Sequence, residues 1–115
     1  MKSSILSALL LCFVLVGCST HDLAYDDVKR APTKSVEVFR EGMKPSKPYK
    51  EISELTYVGF VDEEPGAKQD LIKRAKKIGA NGLIFLPRED TGYQFNLGAK
   101  SGHGANFKAI AFVYE

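Results

Sequence analysis

The stretch EEPGAKQDLIKRAKKIGANG, residues 63–82, decides how the rest of the chain is arranged. Its apolar side chains Leu71, Ile72, Ala75 and Ile78 fall at i, i+1, i+4 and i+7, which is one stripe of a helix and not the two-residue period of a strand. Lys68, Lys73, Arg74, Lys76 and Lys77 take the remaining faces. Pro65 suits a first turn, where an N–H has no partner to lose, and Asp70 suits the positive end of the dipole. Gly79 supplies the left-handed residue that ends the helix.

Outward from this helix the period changes to that of strands. GLIFLP, directly after it, reads as a buried strand, and ELTYVGFV (54–61) before it is β-branched and aromatic on both faces. SVEVF (35–39) alternates, with Val36 and Val38 on one face, while REGMKPSKPYK (40–50) carries Pro45 and Pro48 and reads as a loop. TGYQFNLGAKSGHGANFKAIAFVYE (91–115) is compatible with one long hairpin or with a loop and one strand, the glycines at 98, 102 and 104 marking a mobile tip. The expected fold is α+β: a mainly antiparallel sheet of about four strands in the order β-β-α-β-β, with one helix on one face.

The apolar residues are spread unevenly over the 115 positions. ILSALLLCFVLV (5–16) holds no charge, follows Lys2 and ends at Gly17, which is the pattern of a secretory signal peptide covering 1–17. It is shorter than the roughly 20 residues a spanning helix needs. Leu15-Val16-Gly17-Cys18 resembles the lipobox of bacterial lipoproteins, in which the thiol receives a diacylglyceryl group and the chain is cut just before the cysteine. The alternative of Cys18 as a disulfide partner has no second cysteine in the mature chain, since Cys12 lies in the apolar run. Two or three acyl chains exceed the single chain that binds membranes only marginally. Ser19 follows the cysteine where aspartate retains many such proteins at the inner membrane, so the outer membrane is expected, with the periplasmic face of the inner membrane as the alternative.

Residues 18–34 then read as a lipidated N-terminus and polar tether, reaching roughly 50 Å at full extension, and residues 35–115 as one domain. Loss of Lys2 with the signal peptide brings the 16 basic and 14 acidic residues closer to balance, which argues against nucleic acid as a partner. The dense cluster Lys73, Arg74, Lys76 and Lys77 reads as a solvated helix face.

Val36-Glu37-Val38-Phe39, then Lys47-Pro48-Tyr49 with Ile52 and Gly59, then Leu71, Ala75 and Gly79-Ala80-Asn81 running into Leu83-Ile84, is similar to a broad group of small bacterial proteins. That group includes the heavy-metal-binding domain family and the stress-sensor outer-membrane lipoprotein of the Rcs phosphorelay. The resemblance implies an open sheet with one packed helix and brings no catalytic residue. The Rcs sensor holds its domain with disulfides, which a mature chain with Cys18 alone cannot form, so the signalling role is not carried over. Metal binding is not carried over either, because a soft metal wants thiolates or several imidazoles, and this chain offers His103 in the domain and His21 on the tether.

Catalysis needs a nucleophile with a base, or facing carboxylates. His103 and Ser101 sit in a glycine-rich stretch that would hold neither firmly, and Asp62, Glu63 and Glu64 read as a solvated turn. Tyr49, Tyr93 and Phe95 lie in or beside irregular segments and are the candidate partner-binding residues, with packing at the ends of the core as their alternative role. The reading is a non-enzymatic envelope lipoprotein, a binding, sensing or structural module with no cofactor, acting on a protein partner through a free sheet edge or the aromatic hairpin. A small envelope enzyme or metal-binding carrier, and a self-assembling homo-oligomer pairing strand edges, are the alternatives.

Overall fold

The computed structural model describes residues 22–97 and 100–115. The elements in chain order are β1 (Leu23–Ala24), β2 (Glu37–Phe39), β3 (Tyr49–Phe60), a 3₁₀ turn (Val61–Glu63), α1 (Glu64–Lys77), β4 (Gly82–Phe85), β5 (Glu89–Leu97) and β6 (Lys100–Tyr114). All six strands form one sheet, ordered β1-β3-β6-β4-β2, with β5 paired to β6. The sheet is mixed, because β2 runs parallel to β4 while the other pairs are antiparallel.

This overturns the expected four-stranded, mainly antiparallel β-β-α-β-β arrangement. The extra strands arise where local composition is a poor guide. Leu23–Ala24 is an edge strand of two residues inside a polar stretch, fixed by pairing with Ser53 and Glu54. Residues 89–114 contribute two strands that pair with each other from Leu97↔Lys100 back to Glu89↔Asn106. β3 begins at Tyr49, directly after the prolines, because its partner Tyr114 continues that far along β6.

α1 covers the face of the sheet formed by Leu55, Tyr57, Leu83, Ala105, Phe107, Ala109 and Ala111. Its buried stripe is Ala67, Leu71 and Ala75, at i, i+4 and i+8, each at 0% exposure. Ile72 and Ile78, expected within the stripe, are only partly buried and flank it. The alanines on both sides of the contact let helix and sheet approach closely, with Leu71 and Leu55 filling the space between. A β-bulge between Glu51 and Ser53 inserts Ile52, which joins the same core.

The exit from α1 ties the layers together. Gly79 has φ +80°, its N–H donates to the Lys76 carbonyl at 3.1 Å, and the Ala80 N–H donates to Ala75 at 3.0 Å. That is the paired bonding of a Schellman turn, and Ala75 and Ala80 supply its apolar contact. A side chain on residue 79 would also collide with the Arg30 Cβ at 2.5 Å, because residues 25–36 cross the end of α1 on their way from β1 to β2. Thr33 fixes that crossing: its N–H donates to the Lys76 carbonyl at 2.9 Å and its hydroxyl to the Ala80 carbonyl at 2.7 Å. Asn81 then joins β2 and β6, accepting from the Glu37 N–H at 3.0 Å, donating to the Phe112 carbonyl at 2.8 Å and taking the Tyr114 N–H on its side chain at 2.9 Å.

On the opposite face of the sheet, Phe112 at 0% exposure is the centre of a second, aromatic cluster. Its ring centroid lies 5.0 Å from that of Tyr49, 5.3 Å from Tyr114 and 5.8 Å from Phe39. Gly82 lies directly beneath it, where an added Cβ would stand 2.1 Å from the tip of the ring. Gly82→Ala is therefore expected to cost about 1–3 kcal/mol by overpacking, and Phe112→Ala about 3–5 kcal/mol. With the ring removed, the cost of Gly82→Ala should largely vanish, which a double-mutant cycle by urea unfolding measures. Equal costs with and without the ring would show that Phe112 does not constrain that glycine.

Asp26 holds the crossing segment through a two-point hydrogen bond with Arg30, at 3.0 and 3.2 Å, and an ion pair with Lys50 at 3.4 Å. The Arg30 guanidinium foremost, helped by Lys50 and the Val28 N–H, brings its carboxyl from 3.8 down to about 2 against the opposing effect of burial. A depressed folded-state value stabilises the fold above the unfolded value. That contribution should be present above pH 3.8 and disappear as pH falls toward 2. The stability difference between the parent and Asp26→Asn, measured by urea unfolding, should be constant near neutrality and shrink across that acid window.

Candidate functional site

One helix cannot cover this sheet. Five strands abreast at about 4.8 Å span roughly 19 Å between outer axes, whereas a helix with its side chains is about 10 Å wide. α1 lies mainly over β3 and β6. The strip over β4 and β2 is left as a groove of about 450 Å³, walled by Val38 and Arg40 on one side and Lys68 and Ile72 on the other, with Phe85 and Phe107 in its floor.

β2 borders the groove as an edge of the sheet, with no strand beyond it among the described residues. The Glu37 N–H points inward to Asn81, so by alternation the Val38 N–H and C=O point outward. The Val38 side chain shares the α1 face with Leu83, its partner on β4, and is 47% exposed. Edge backbone and apolar floor thus lie side by side.

The groove rim is charged. Glu64 pairs with Lys68 and with Arg88, each at 3.7 Å, and Arg88 also holds Asp90 at 3.0 Å. Lys68 stands 5.6 Å above the centre of the Phe85 ring. Arg40 has no ion pair among the described residues. The arrangement suits an extended chain with an apolar side chain for the floor and an acidic one for the cationic rim.

A second hollow of about 380 Å³ adjoins the groove at Arg88 and is lined by Asp90, Tyr93, His103 and Gly104. It forms because β5 bulges: three residues, Thr91 to Tyr93, oppose Gly104 alone between the pairs Asp90↔Ala105 and Gln94↔His103. Gly92 adopts φ +78° there. His103 is exposed and makes no side-chain hydrogen bond among the described residues.

The residues singled out from sequence are dispersed. Tyr49 lies at one end of the sheet, half-buried against Phe112. Tyr93 lies near the other end, 60% exposed, its ring 6.2 Å from that of Phe60. Phe95 pairs through its backbone with Gly102, and its side chain is not among those described. Cys18 and His21 lie outside the described residues, as does Gly98. Asp62, Glu63 and Glu64 have separate surroundings: Glu63 accepts the Tyr57 hydroxyl at 3.1 Å and the Phe60 N–H at 2.9 Å, while Glu64 faces the groove. The Glu63 bond is the main cause, ahead of burial, of the raised Tyr57 phenol pKa.

Sequence reasoning missed Val38, Ile72 and Phe85 as groove residues. All three look like core in a linear pattern, and the one available signal was that the apolar stripe of α1 is broader than its two neighbouring strands require. Among the described residues no group of three or more His, Cys, Asp and Glu side chains is placed to hold a metal ion. No described helix is long and apolar enough to cross a membrane. Compared with known proteins, the chain matches no family model, no curated protein and no solved structure.

The two tyrosines should respond differently to truncation. Tyr49→Ser removes a ring packed on Phe112 and is expected to cost about 2 kcal/mol or more, whereas Tyr93→Ser should change stability by under about 1 kcal/mol. Thermal unfolding of the two single variants separates them, and a severely destabilised Tyr93→Ser would mean that the bulge depends on that ring.

Proposed function

We propose that this chain is a lipoprotein of the bacterial envelope, anchored at the outer membrane through acylated Cys18, whose folded part binds an extended segment of another envelope protein along β2. The anchor reading is supported by the charge-free run 5–16 ending in Leu15-Val16-Gly17-Cys18, with Ser19 after the cysteine. The binding reading is carried by one observation, the juxtaposition of the outward backbone of Val38 with the apolar groove beside α1. An added strand would take its backbone hydrogen bonds from the β2 edge and its specificity from the groove. Arg40 favours a segment with an acidic residue next to the apolar one that enters the floor.

A photo-cross-linking side chain placed at residue 38 in cells should give an adduct of discrete mass that is absent when the same group replaces exposed Glu51 on β3. Arg40→Glu should lower the adduct yield about five- to tenfold, equivalent to about 1–1.4 kcal/mol. Adducts only of twice the chain's own mass would assign the edge to a second copy, and absence of any adduct would remove the binding reading. The anchor is checked separately: Cys18→Ser should abolish lipid labelling and leave the precursor uncut, and a processed, membrane-bound Cys18→Ser protein would contradict it.

A further inference from the structure

Lys73 and Lys77 lie on the outward side of α1, toward its Arg74 flank, and have no ion pair among the described residues. Arg74 between them differs: Asp22 binds its guanidinium at 2.6 Å and Asp70 at 2.9 Å. We propose that this lysine ridge rests on anionic phospholipid headgroups of the bilayer that carries Cys18. The inference depends on the lipid anchor proposed above.

The geometry follows from where the described chain starts. Asp22 is pinned, its carboxylate taking both the Arg74 guanidinium and the Thr56 N–H, the latter at 3.2 Å, and Leu23–Ala24 pair with β3 directly after it. Ser19, Thr20 and His21 alone separate Asp22 from Cys18. However they run, the two α-carbons are no more than about 14 Å apart. Of the tether expected to span residues 18–34, three residues therefore separate the lipid from the domain, since Asp22 to Tyr25 are bonded to the sheet and Thr33 to the end of α1. A folded domain joined to its lipid by so short a leash stays at the membrane surface, and the side nearest the leash faces it.

That side is the flank of α1 carrying Arg74, with Lys73 adjacent and Lys77 one turn away. Lys34 adds a further exposed cation beside Thr33, which is bonded to Lys76. The acidic groups nearby are compensated: Asp22 and Asp70 share Arg74, Asp26 holds Arg30 and Lys50, and exposed Asp27 is accompanied by exposed Lys29 on the same segment. Attraction of lysines to anionic headgroups acts within about a Debye length, roughly 8 Å at physiological salt, and the short leash keeps the domain close enough to the surface for the ridge to enter that range. The peptide groove lies on the other flank of α1, at Glu64, Lys68 and Ile72, and so faces away from the lipid.

The test uses the lipidated protein, extracted from membranes and reconstituted into phosphatidylcholine vesicles with or without phosphatidylglycerol. A fluorophore is attached at Gln69→Cys on the outward side of α1 or at Glu51→Cys on β3, and quenching by a headgroup-labelled nitroxide lipid is read. Quenching at 69 should exceed that at 51 severalfold in the phosphatidylglycerol vesicles, and Lys73→Glu with Lys77→Glu should bring it down to the value at 51. A Gly-Ser insertion between Thr20 and His21, which leaves α1 untouched, should reduce it as well. Equal quenching at the two sites, or quenching at 69 that ignores both phosphatidylglycerol and the charge reversal, overturns the ridge. Protein that carries no lipid and does not float with the vesicles overturns the anchor instead.

Discussion

The turn from Ile78 to Gly82 is the constraint on which the remaining structure depends. In five residues it ends a helix, reverses the chain and enters the sheet, and the last four are each specified by a different physical requirement. Gly79 must be left-handed and must leave room for Arg30 and Ala31; Ala80 must be small and apolar because it is sealed at 0% exposure. Asn81 must bond to two other strands, and Gly82 must have no side chain because the Phe112 ring lies on it. Thr33 then bonds the Lys76 carbonyl, as a second donor beside Gly79, and the Ala80 carbonyl, which guides the N-terminal segment across to β2. Helix, both faces of the sheet and the crossing chain all take their relative positions from this turn.

The second determinant is width. Alanines at 67, 75, 105, 109 and 111 draw α1 down onto β3 and β6, which gives a dense core from few large side chains. Close approach over two strands leaves the outer pair uncovered, and Val38 of β2, Phe85 of β4 and Ile72 of α1 line the groove that results. On the far face the same shortage of covering elements is met differently. Phe39, Tyr49, Phe112 and Tyr114 pack on one another, Lys47 stands 4.2 Å over the Tyr114 ring, and burial first and the Glu37 carboxylate second push the Tyr114 phenol pKa up.

The two edges of the sheet are treated unequally, which gives the molecule a direction. At the β3 edge, Asp22, Arg74 and Glu63 occupy outward backbone groups of Thr56 and Phe60 with side chains, in addition to the short strand β1. Blocking of this kind keeps an edge from pairing with other chains. At the β2 edge the described residues offer no such cover. On the proposed reading, the blocked edge is the one next to the lipid and the open edge is the one presented to the periplasm. The three-residue leash then serves as a geometric device as well as an attachment.

The sequence by itself determined the parts governed by local periodicity and by single-residue geometry. The extent of α1, with Pro65 in its first turn and Gly79 at its end, and the strand character of 82–85 and 107–114 are legible because each depends on residues a few positions apart. The number of strands and their order were not legible. Leu23–Ala24 is a strand because Asp22 is held by Arg74, 52 residues away, and β2 is parallel because the chain crosses behind Gly79; neither interaction leaves a local pattern. The functional assignment of aromatics failed to converge for the same reason. Tyr49 and Tyr93 look alike in sequence, yet Tyr49 meets Phe112 while Tyr93 projects from a bulge. The groove is tertiary in origin, since it exists only as the difference between the width of one helix and the width of the sheet beneath it.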